Sequence, residues 1–234
     1  MRRFWKAVTL EATDFGHAVR LDGRPVKTPT GNLLALPSQK MADAVVAEWE
    51  AVEKNVNPVL MPNTGFANAA IDRIAPDHDG FAAAIAAYGE TDNFCYRAAA
   101  GEALADRQAQ IWDPWLDWAK GHYDIDFLIV EGIMHQPQLA ATLETLRRAV
   151  AARGAFELAA MAKLAHLSGS LVATLAIIER AGTAEDIWNA ACLDEIWQEE
   201  LWGADHWAQK NRSDREGEFM AAVRFLDLIG PDPR

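Results

Sequence analysis

The sequence predicts an α+β fold in which a small, antiparallel β-rich N-terminal region precedes a larger, all-helical C-terminal region. Two observations support this prediction. Residues 3–36 combine alternating apolar and polar positions with β-branched and aromatic residues, a pattern typical of strands. After residue 38 the apolar residues recur with a helical period. We therefore expect residues 1–62 to form a β-rich domain with one covering helix, and residues 63–234 to form a helical domain.

The first 36 residues predict an antiparallel meander. The candidate strands are "FWKAVTLEA", "HAVRLD" and "LLALP", with turn signals at residues 22–23 and 30–32. Between the turns, "RPVKTP" predicts a short strand that its prolines restrict to the sheet edge. Arg24 and Lys27 are then edge charges that discourage aggregation between sheets. A phosphate-binding loop is the alternative, but such a loop needs a helix N-terminus after its glycines, and a strand follows here.

The covering helix is predicted from one apolar stripe. Ser38 is a candidate N-cap, and the stripe that follows contains Met41, Val45, Trp49 and Val52. Beyond it, "NPVLMP" (residues 57–62) predicts a rigid extended connector, because its two prolines disfavour helix.

Helix starts and one possible strand are predicted in the C-terminal region. New helices are expected at residues 113–114, where "WDPWLDW" should end one helix and begin another, and at the capping-box patterns "TAED" (183–186) and "SDRE" (213–216). The apolar run 167–178 predicts a buried helix, because a membrane span needs about 20 residues. Residues 123–130 fit either a strand or an extended crossing.

Composition argues against several classes of partner. The formal charge of −12 and the pI near 4.9 disfavour nucleic acid and anionic membrane surfaces, which the protein would repel. Cys95 and Cys192 lie far apart in the sequence, so we expect neither a disulfide framework nor a structural zinc site. We therefore also expect the protein to work in a reducing compartment. The basic start of the sequence is typical of a signal peptide, but Lys6 interrupts the apolar region that would have to follow it. We expect no export signal and no membrane insertion.

Motifs for catalysis, metals and cofactors are missing from the sequence. There is no GxGxxG, no GxxxxGK[ST], no HExxH and no Glu-x-x-His pair. The six histidines show no ligand spacing, and His166 is expected to be a hydrogen-bonded core residue. "LSGSL" (167–171) lacks the second glycine of GxSxG, and small residues at a helix–helix contact explain it better. We therefore expect a protein that is not an enzyme, with no catalytic residue, no metal and no cofactor.

The least ordinary segment is "ACLDEIWQEELWGADHW" (residues 191–207). On one continuous helix it would present a face that contains Trp188, Cys192, Glu195, Glu199, Trp202 and His206, opposite a face with Leu193, Trp197 and Leu201. Carboxylates between tryptophans need a buried partner, a metal or a docking protein. A structural network, a protein-docking surface and a metal or acid–base site all remain open. Among the nine tryptophans, most are expected in the core and some as partner anchors.

Eight segments, taken in order, carry a resemblance to a known family: "RFWKAV", "VRLDGRPVKTP…LALP", "AEWEA…NPVLMP", "AIDRI", "ETDNFCYR", "Q…WDPWLDW", "LSGSLVATLA" and "DEIWQEELWGAD". Together they are similar to the assembly-chaperone family for the α subunit of F-type ATP synthase, over nearly the whole chain. The resemblance implies a non-enzymatic chaperone of the bacterial cytoplasm or the mitochondrial matrix. Such a protein binds the unassembled α subunit, prevents its aggregation and hands it over for assembly with the β subunit. The family's fold is a β-rich N-terminal domain followed by a helical domain.

The resemblance also implies a partner-binding region. The family's acidic motif matches Asp194, Glu195, Gln198, Trp202, Gly203 and Asp205, and the chain departs from it at Trp197 and His206, where the family has a tyrosine and an acid. We predict partner binding by Trp188, Glu195, Gln198, Glu199, Trp202 and Asp205, and a free protein that is monomeric. The alternative is an enzyme that uses Glu195 and Glu199 as paired carboxylates, with Arg24 and Lys27 holding an anion. A scaffold protein without chaperone action is a third interpretation.

Overall fold

Strands occupy the beginning of the chain and helices most of the rest, so the predicted α+β class is confirmed. The computed structural model describes residues 1–14 and 16–230. Two units are separated in it: the first contains residues 1–78, 154–160 and the segment that begins at Ala221, and the second contains residues 79–153 and 161–220. The predicted domain boundary after residue 62 stays a prediction, because this grouping does not show which segments fold independently.

The sheet of the first unit is built around strand β2 (Gly16–Leu21). Strand β1 (Val8–Thr13) pairs antiparallel along one edge of β2. The other edge is shared by β3 (Arg24–Pro25) and β4 (Ala35–Leu36), both antiparallel to β2. This order differs from the predicted meander, in which each strand would pair only with its neighbours in sequence. Val19 in the middle of β2 shows how both segments share one edge: its carbonyl accepts from Val26 N, just after β3, and its N–H donates to Leu34 O, just before β4.

The chain between β3 and β4 leaves the sheet as a loop beyond Lys27 and Leu33, which form an isolated antiparallel bridge. One carboxylate fixes this loop: Asp72 accepts hydrogen bonds from Thr28 Oγ1 (2.5 Å), Thr30 N (3.0 Å) and Asn32 Nδ2 (3.0 Å). Burial alone would raise the pKa of Asp72, but these hydrogen bonds outweigh it and hold the pKa at about 2. Arg24 and Lys27 remain exposed.

Helix α1 (Gln39–Glu50) packs on β1 and β2, and its start and its stripe agree with the prediction. Ser38 Oγ accepts a hydrogen bond from Met41 N at 3.2 Å. Met41, Val45 and Trp49 are buried, and so is Val52 just beyond the helix.

The extended connector predicted for residues 57–62 is wrong. Pro58–Leu60 form a short 3-10 helix, and α2 (Pro62–Ala69) follows it. Asn57 Oδ1 accepts from Val59 N at 3.2 Å, and a proline fits the first position of each helical turn because the N–H it lacks has no partner there.

The second unit is mostly helical. It contains α4 (Ala103–Tyr123), α5 (Ala140–Ala151), α7 (Leu171–Ile178), α8 (Ala184–Ala191), α9 (Leu193–Trp202) and most of α3 (His78–Ala86), α6 (Ala155–Ser168) and α10 (His206–Asp227). Two short strands, β5 (Tyr96–Arg97) and β6 (Val130–Glu131), pair in parallel. Of the segment 123–130, only its last residue belongs to a strand.

Two predicted helix starts are wrong and one is confirmed. Helix α4 runs through Pro114 without a break, because Trp112, Leu116 and other residues on both sides of the proline share one buried face. Residues 213–216 lie inside α10. Thr183 does cap α8, since its Oγ1 accepts from Asp186 N at 3.1 Å.

The apolar run 167–178 is divided by a corner between α6 and α7. Gly169 adopts φ 64°, and Ser170 Oγ caps α7 by accepting from Ala173 N at 2.9 Å. A Cβ on Gly169 would lie 2.1 Å from Asn93 Nδ2, so the small residue permits an approach by a side chain rather than by a second helix. His166 is exposed, which corrects its predicted place in the core: the buried residues of α6 near it are Leu164 and Ala165.

Candidate docking groove

The segment 191–207 forms parts of three helices rather than one. Cys192 separates α8 from α9, and residues 203–205 separate α9 from α10. Gly203 adopts φ 89°, a conformation that ends α9 and favours glycine. Asp205 Oδ1 then caps α10 by accepting from Trp207 N (2.7 Å) and Ala208 N (2.9 Å). The single continuous helix is therefore wrong, because the chain breaks at Cys192 and again where Gly203 takes a positive φ and Asp205 caps a new helix.

An open groove of about 770 Å³ lies between α9 and the first half of α10. Its lining residues are Glu195, Gln198, Glu199, Trp202, Gly203, Ala204, Asp205, Ala208, Asn211, Arg212 and Arg215. We call this the α9–α10 groove. Five of the six residues predicted to bind a partner line it, although the helix assumed in that prediction does not exist. The bend after α9 brings Asp205 to the same side as the acids of α9.

Arginines of α10 pair with the two central carboxylates of the groove. Glu195 accepts from Arg215 Nη2 at 2.6 and 2.5 Å, and Glu199 Oε2 accepts from Arg212 Nη2 at 2.6 Å. Hydrogen bonds from Arg212 and then from Gln209 lower the pKa of Glu199. Glu199 is therefore held in the ionised form, which is unfavourable for the proton donor that a pair of catalytic carboxylates requires.

Trp188, the sixth predicted residue, lies beneath the groove rather than on it. Its side chain is buried, with the residue only 2% exposed, and its ring packs against Phe219 with centroids 5.1 Å apart. The guanidinium of Arg215 lies 5.7 Å from the centre of the Trp188 ring. Trp188 thus supports the arginine that binds Glu195.

Large apolar side chains are exposed at the corner where α9 meets α10. Trp202 is 79% exposed and Trp207 is 76% exposed, with Leu201 beside them at 57%. The sequence did not single out Trp207, and Leu201 was placed on the predicted face opposite the carboxylates. The signal available in the sequence was Gly203 followed by Asp205, which together end one helix and start another.

Helix α4 holds the outer side of α9 in place. Gln108 Nε2 donates to Asp194 Oδ1 at 2.8 Å, and Arg107 binds Glu200 through both terminal nitrogens. The Arg107 guanidinium also lies 5.4 Å from the centre of the Trp197 ring. The groove is therefore built on a helix fixed from both sides, which limits reorganisation when a partner binds.

Among residues 1–14 and 16–230, no group of three or more His, Cys, Asp or Glu side chains is arranged to hold a metal ion. In the same part of the chain, every helix is too short or too polar to cross a membrane. Both cysteines are free and buried, and burial raises the pKa of Cys192 to about 12. A thiol so protonated is a poor nucleophile.

Comparisons with known proteins agree with the predicted family. Residues 2–120 match the family model described as ATP12 chaperone protein. The crystal structure of Atp12 from Paracoccus denitrificans is 38% identical to this chain, covers 98% of both chains and superposes with a TM-score of 0.93. A lysine-for-aspartate mutant of that protein gives the same values.

Two further relatives extend the similarity to other organisms. The structure of the Atu1473 protein from Agrobacterium tumefaciens is 37% identical, with a TM-score of 0.92 and coverage of 98% of this chain and 86% of its own. The mitochondrial protein atp12 of Schizosaccharomyces pombe is 21% identical over 215 residues, which are 87% of this chain and 74% of the relative. The chain therefore belongs to the ATP12 chaperone family, the family of ATP synthase assembly chaperones that its sequence resembles.

Proposed function

We propose that this protein binds the unassembled α subunit of F-type ATP synthase, prevents its aggregation and hands it over for assembly with the β subunit. Membership of the ATP12 chaperone family is the observation that carries this proposal. The α9–α10 groove and the exposed Trp202 and Trp207 where α9 meets α10 support it, because tryptophan is enriched among the residues that dominate protein-binding surfaces.

The physical need for such a protein follows from subunit interfaces. A subunit made alone exposes the apolar face that later packs against its neighbour, and such a face aggregates unless it is covered. The chaperone has to bind this face and later release it. A groove with a few aromatic anchors suits that purpose better than a large permanent interface.

Light scattering during refolding tests the proposal. Purified α subunit is diluted from denaturant with increasing amounts of the protein, and β subunit is refolded in parallel as the control client. We expect scattering by α to be suppressed, with saturation near one chaperone per subunit. Equal protection of β and of unrelated proteins would reduce the function to general holding of unfolded chains. No protection of α at several-fold excess would refute the proposal.

The role of the groove is tested by charge changes at Glu195. We propose that Glu195, Gln198, Glu199, Trp202 and Asp205 contact the client and that Trp188 supports them from below. Glu195→Gln and Glu195→Lys should each weaken protection of α, the second more strongly. Glu144→Gln on α5 is a matched control, because Glu144 also binds an arginine at the surface of the same unit. If both Glu195 variants fold normally and protect α like the wild type, Glu195 has no part in docking.

We further propose that the protein acts without catalysis or cofactor, and that it is monomeric when free. It should work in the cytoplasm of a bacterium or in the matrix of a mitochondrion. Stoichiometric binding without turnover is expected, and a transition metal bound at one equivalent in elemental analysis would contradict the absence of a cofactor.

A further inference from the structure

A second exposed apolar surface lies in the same unit, apart from the groove residues. Residues 128–139, which we call the apolar loop, expose Leu128, Ile129, Ile133, Met134 and Leu139. Ile133 is 95% exposed and Met134 is 76% exposed. Single exposed apolar residues are common, but five within twelve residues form a concentration that usually marks an interaction surface.

Hydrogen bonds fix the base of the apolar loop. The buried side chain of Gln138 accepts from Leu128 N at 2.9 Å and donates to Leu128 O at 2.7 Å. Glu131 Oε1 accepts from Ala100 N at 2.9 Å, and Gly132 N donates to Arg97 O at 2.8 Å. The loop is thus held in a defined position with its apolar tip in solvent, so little conformational entropy is lost when the tip is covered.

The chemistry of the tip indicates what covers it. Residues 132–139 contain no Asp, Glu, Lys or Arg, and the ring of His135 is hydrogen-bonded to the Tyr96 hydroxyl at 3.3 Å, so the contact is expected to be apolar rather than ionic. The formal charge of −12 disfavours an anionic lipid surface. A methionine beside an isoleucine adapts to surfaces of varied shape, which suits a client that is not yet in its final conformation.

The apolar loop is also connected to the α9–α10 groove through one side chain. Gln108 Oε1 accepts from Ala98 N, directly after β5, at 2.8 Å, and its Nε2 binds Asp194 in the first turn of α9. Strand β5 in turn pairs with β6, which lies within the apolar loop. We propose that the apolar loop is a second client contact, which covers an apolar surface of the unassembled subunit. This inference rests on the proposed chaperone function.

The test compares two pairs of exposed apolar residues. Ile133→Ser/Met134→Ser removes the tip, and Val59→Ser/Leu60→Ser is the matched control, because Val59 and Leu60 are 83% and 72% exposed in the first unit. Binding of α subunit is measured by biolayer interferometry at several salt concentrations. We expect the tip variant to bind roughly tenfold more weakly, mainly through faster dissociation, and the control to bind like the wild type. The salt dependence of binding by the tip variant should equal that of the wild type, since the two substitutions remove no charge.

The outcomes separate this inference from the proposed function. If the wild type binds α and the tip variant binds equally well, the inference is overturned alone. Equal losses in both variants also overturn it, because general stickiness would then explain the effect. If the wild type binds β instead of α, the proposed client is wrong, and the same comparison is made with β. Sedimentation velocity of the free protein completes the test: self-association that only the tip variant abolishes would assign the loop to a second copy and overturn the inference.

Discussion

Asp92 is a fully buried acid that binds the start of α7, and Asp92→Asn tests its energetics. Asp92 Oδ1 accepts from Phe94 N at 3.0 Å, and Oδ2 accepts from Val172 N at 2.8 Å, at the start of α7. Burial raises the pKa of this carboxyl, hydrogen bonds from Val172 and Ser170 oppose the rise, and the result is a pKa of about 6 instead of 3.8.

The sign of the pH dependence follows from this raised pKa. Between pH 3.8 and about pH 6 the folded protein holds the proton of Asp92 more tightly than the unfolded chain does. The contribution of Asp92 to the free energy of unfolding therefore falls as pH rises through this window. At about 1.4 kcal/mol for each pKa unit, the fall is about 3 kcal/mol.

The asparagine variant lacks this titration but loses a hydrogen bond. Its amide has one acceptor oxygen, whereas the carboxyl group keeps acceptor capacity on both oxygens even when it is protonated, as it is in the folded wild type at pH 4. One buried backbone N–H therefore loses its partner in the variant, at a cost of about 1–3 kcal/mol. We expect Asp92→Asn to be clearly less stable than the wild type at pH 4. By pH 7 the deficit should disappear or reverse, because the wild type then carries the cost of a buried charge.

Urea unfolding of both proteins at intervals from pH 4 to pH 7 measures this difference directly. The m-values should agree, so that the midpoints report stability rather than a changed denatured state. The stability of the wild type minus that of the variant should fall by about 2 kcal/mol from pH 4 to pH 7, because part of the change has already occurred by pH 4. The difference should level off only near pH 7, since Asp92 is still half protonated at about pH 6. A difference that is constant, or that grows with pH, would refute burial as the dominant influence on Asp92.

Two further predictions concern local structure. Asp72→Asn should speed hydrogen exchange at the amide of Thr30, because the variant offers a weaker acceptor to the loop between β3 and β4; unchanged exchange would show that the loop is held by other contacts. Pro114→Ala should raise the free energy of unfolding by up to about 3 kcal/mol, since alanine restores the helical N–H that proline lacks, and a lower urea midpoint would contradict this account.

Local signals predicted much of the fold because each acts within a few residues. Ser38 and Thr183 cap helices where the sequence placed them, since a cap depends on its own side chain and the next three amides. The helix break predicted at Pro114 is wrong because of tertiary packing: burial of Trp112 and Leu116 on one face of α4 outweighs the hydrogen bond that proline cannot make. Propensity is a weak guide where packing decides.

The candidate groove shows the same limit at longer range. Glu195 and Glu199 were identified from their residue types and Asp205 from the family resemblance, but the arginines that bind the two glutamates come from α10, up to 20 positions further along. No periodicity reports such a pairing, because it depends on how the chain turns at Gly203. The apolar loop was missed for a related reason: "LIV" before Glu131 has the composition of a buried strand, and only the structure shows Leu128 and Ile129 to be exposed.

The arginine pairs bear on how a client is held and released. Glu195 and Glu199 are already neutralised by α10, so a basic group on a client gains little from them unless it displaces an arginine. Trp202 and Trp207 are largely exposed and can be covered without breaking an ion pair. Apolar contacts should therefore supply most of the affinity, while the charges set orientation and encounter rate. Added salt should then slow association more than it speeds dissociation, and release should depend on competition for the apolar surfaces by the arriving subunit.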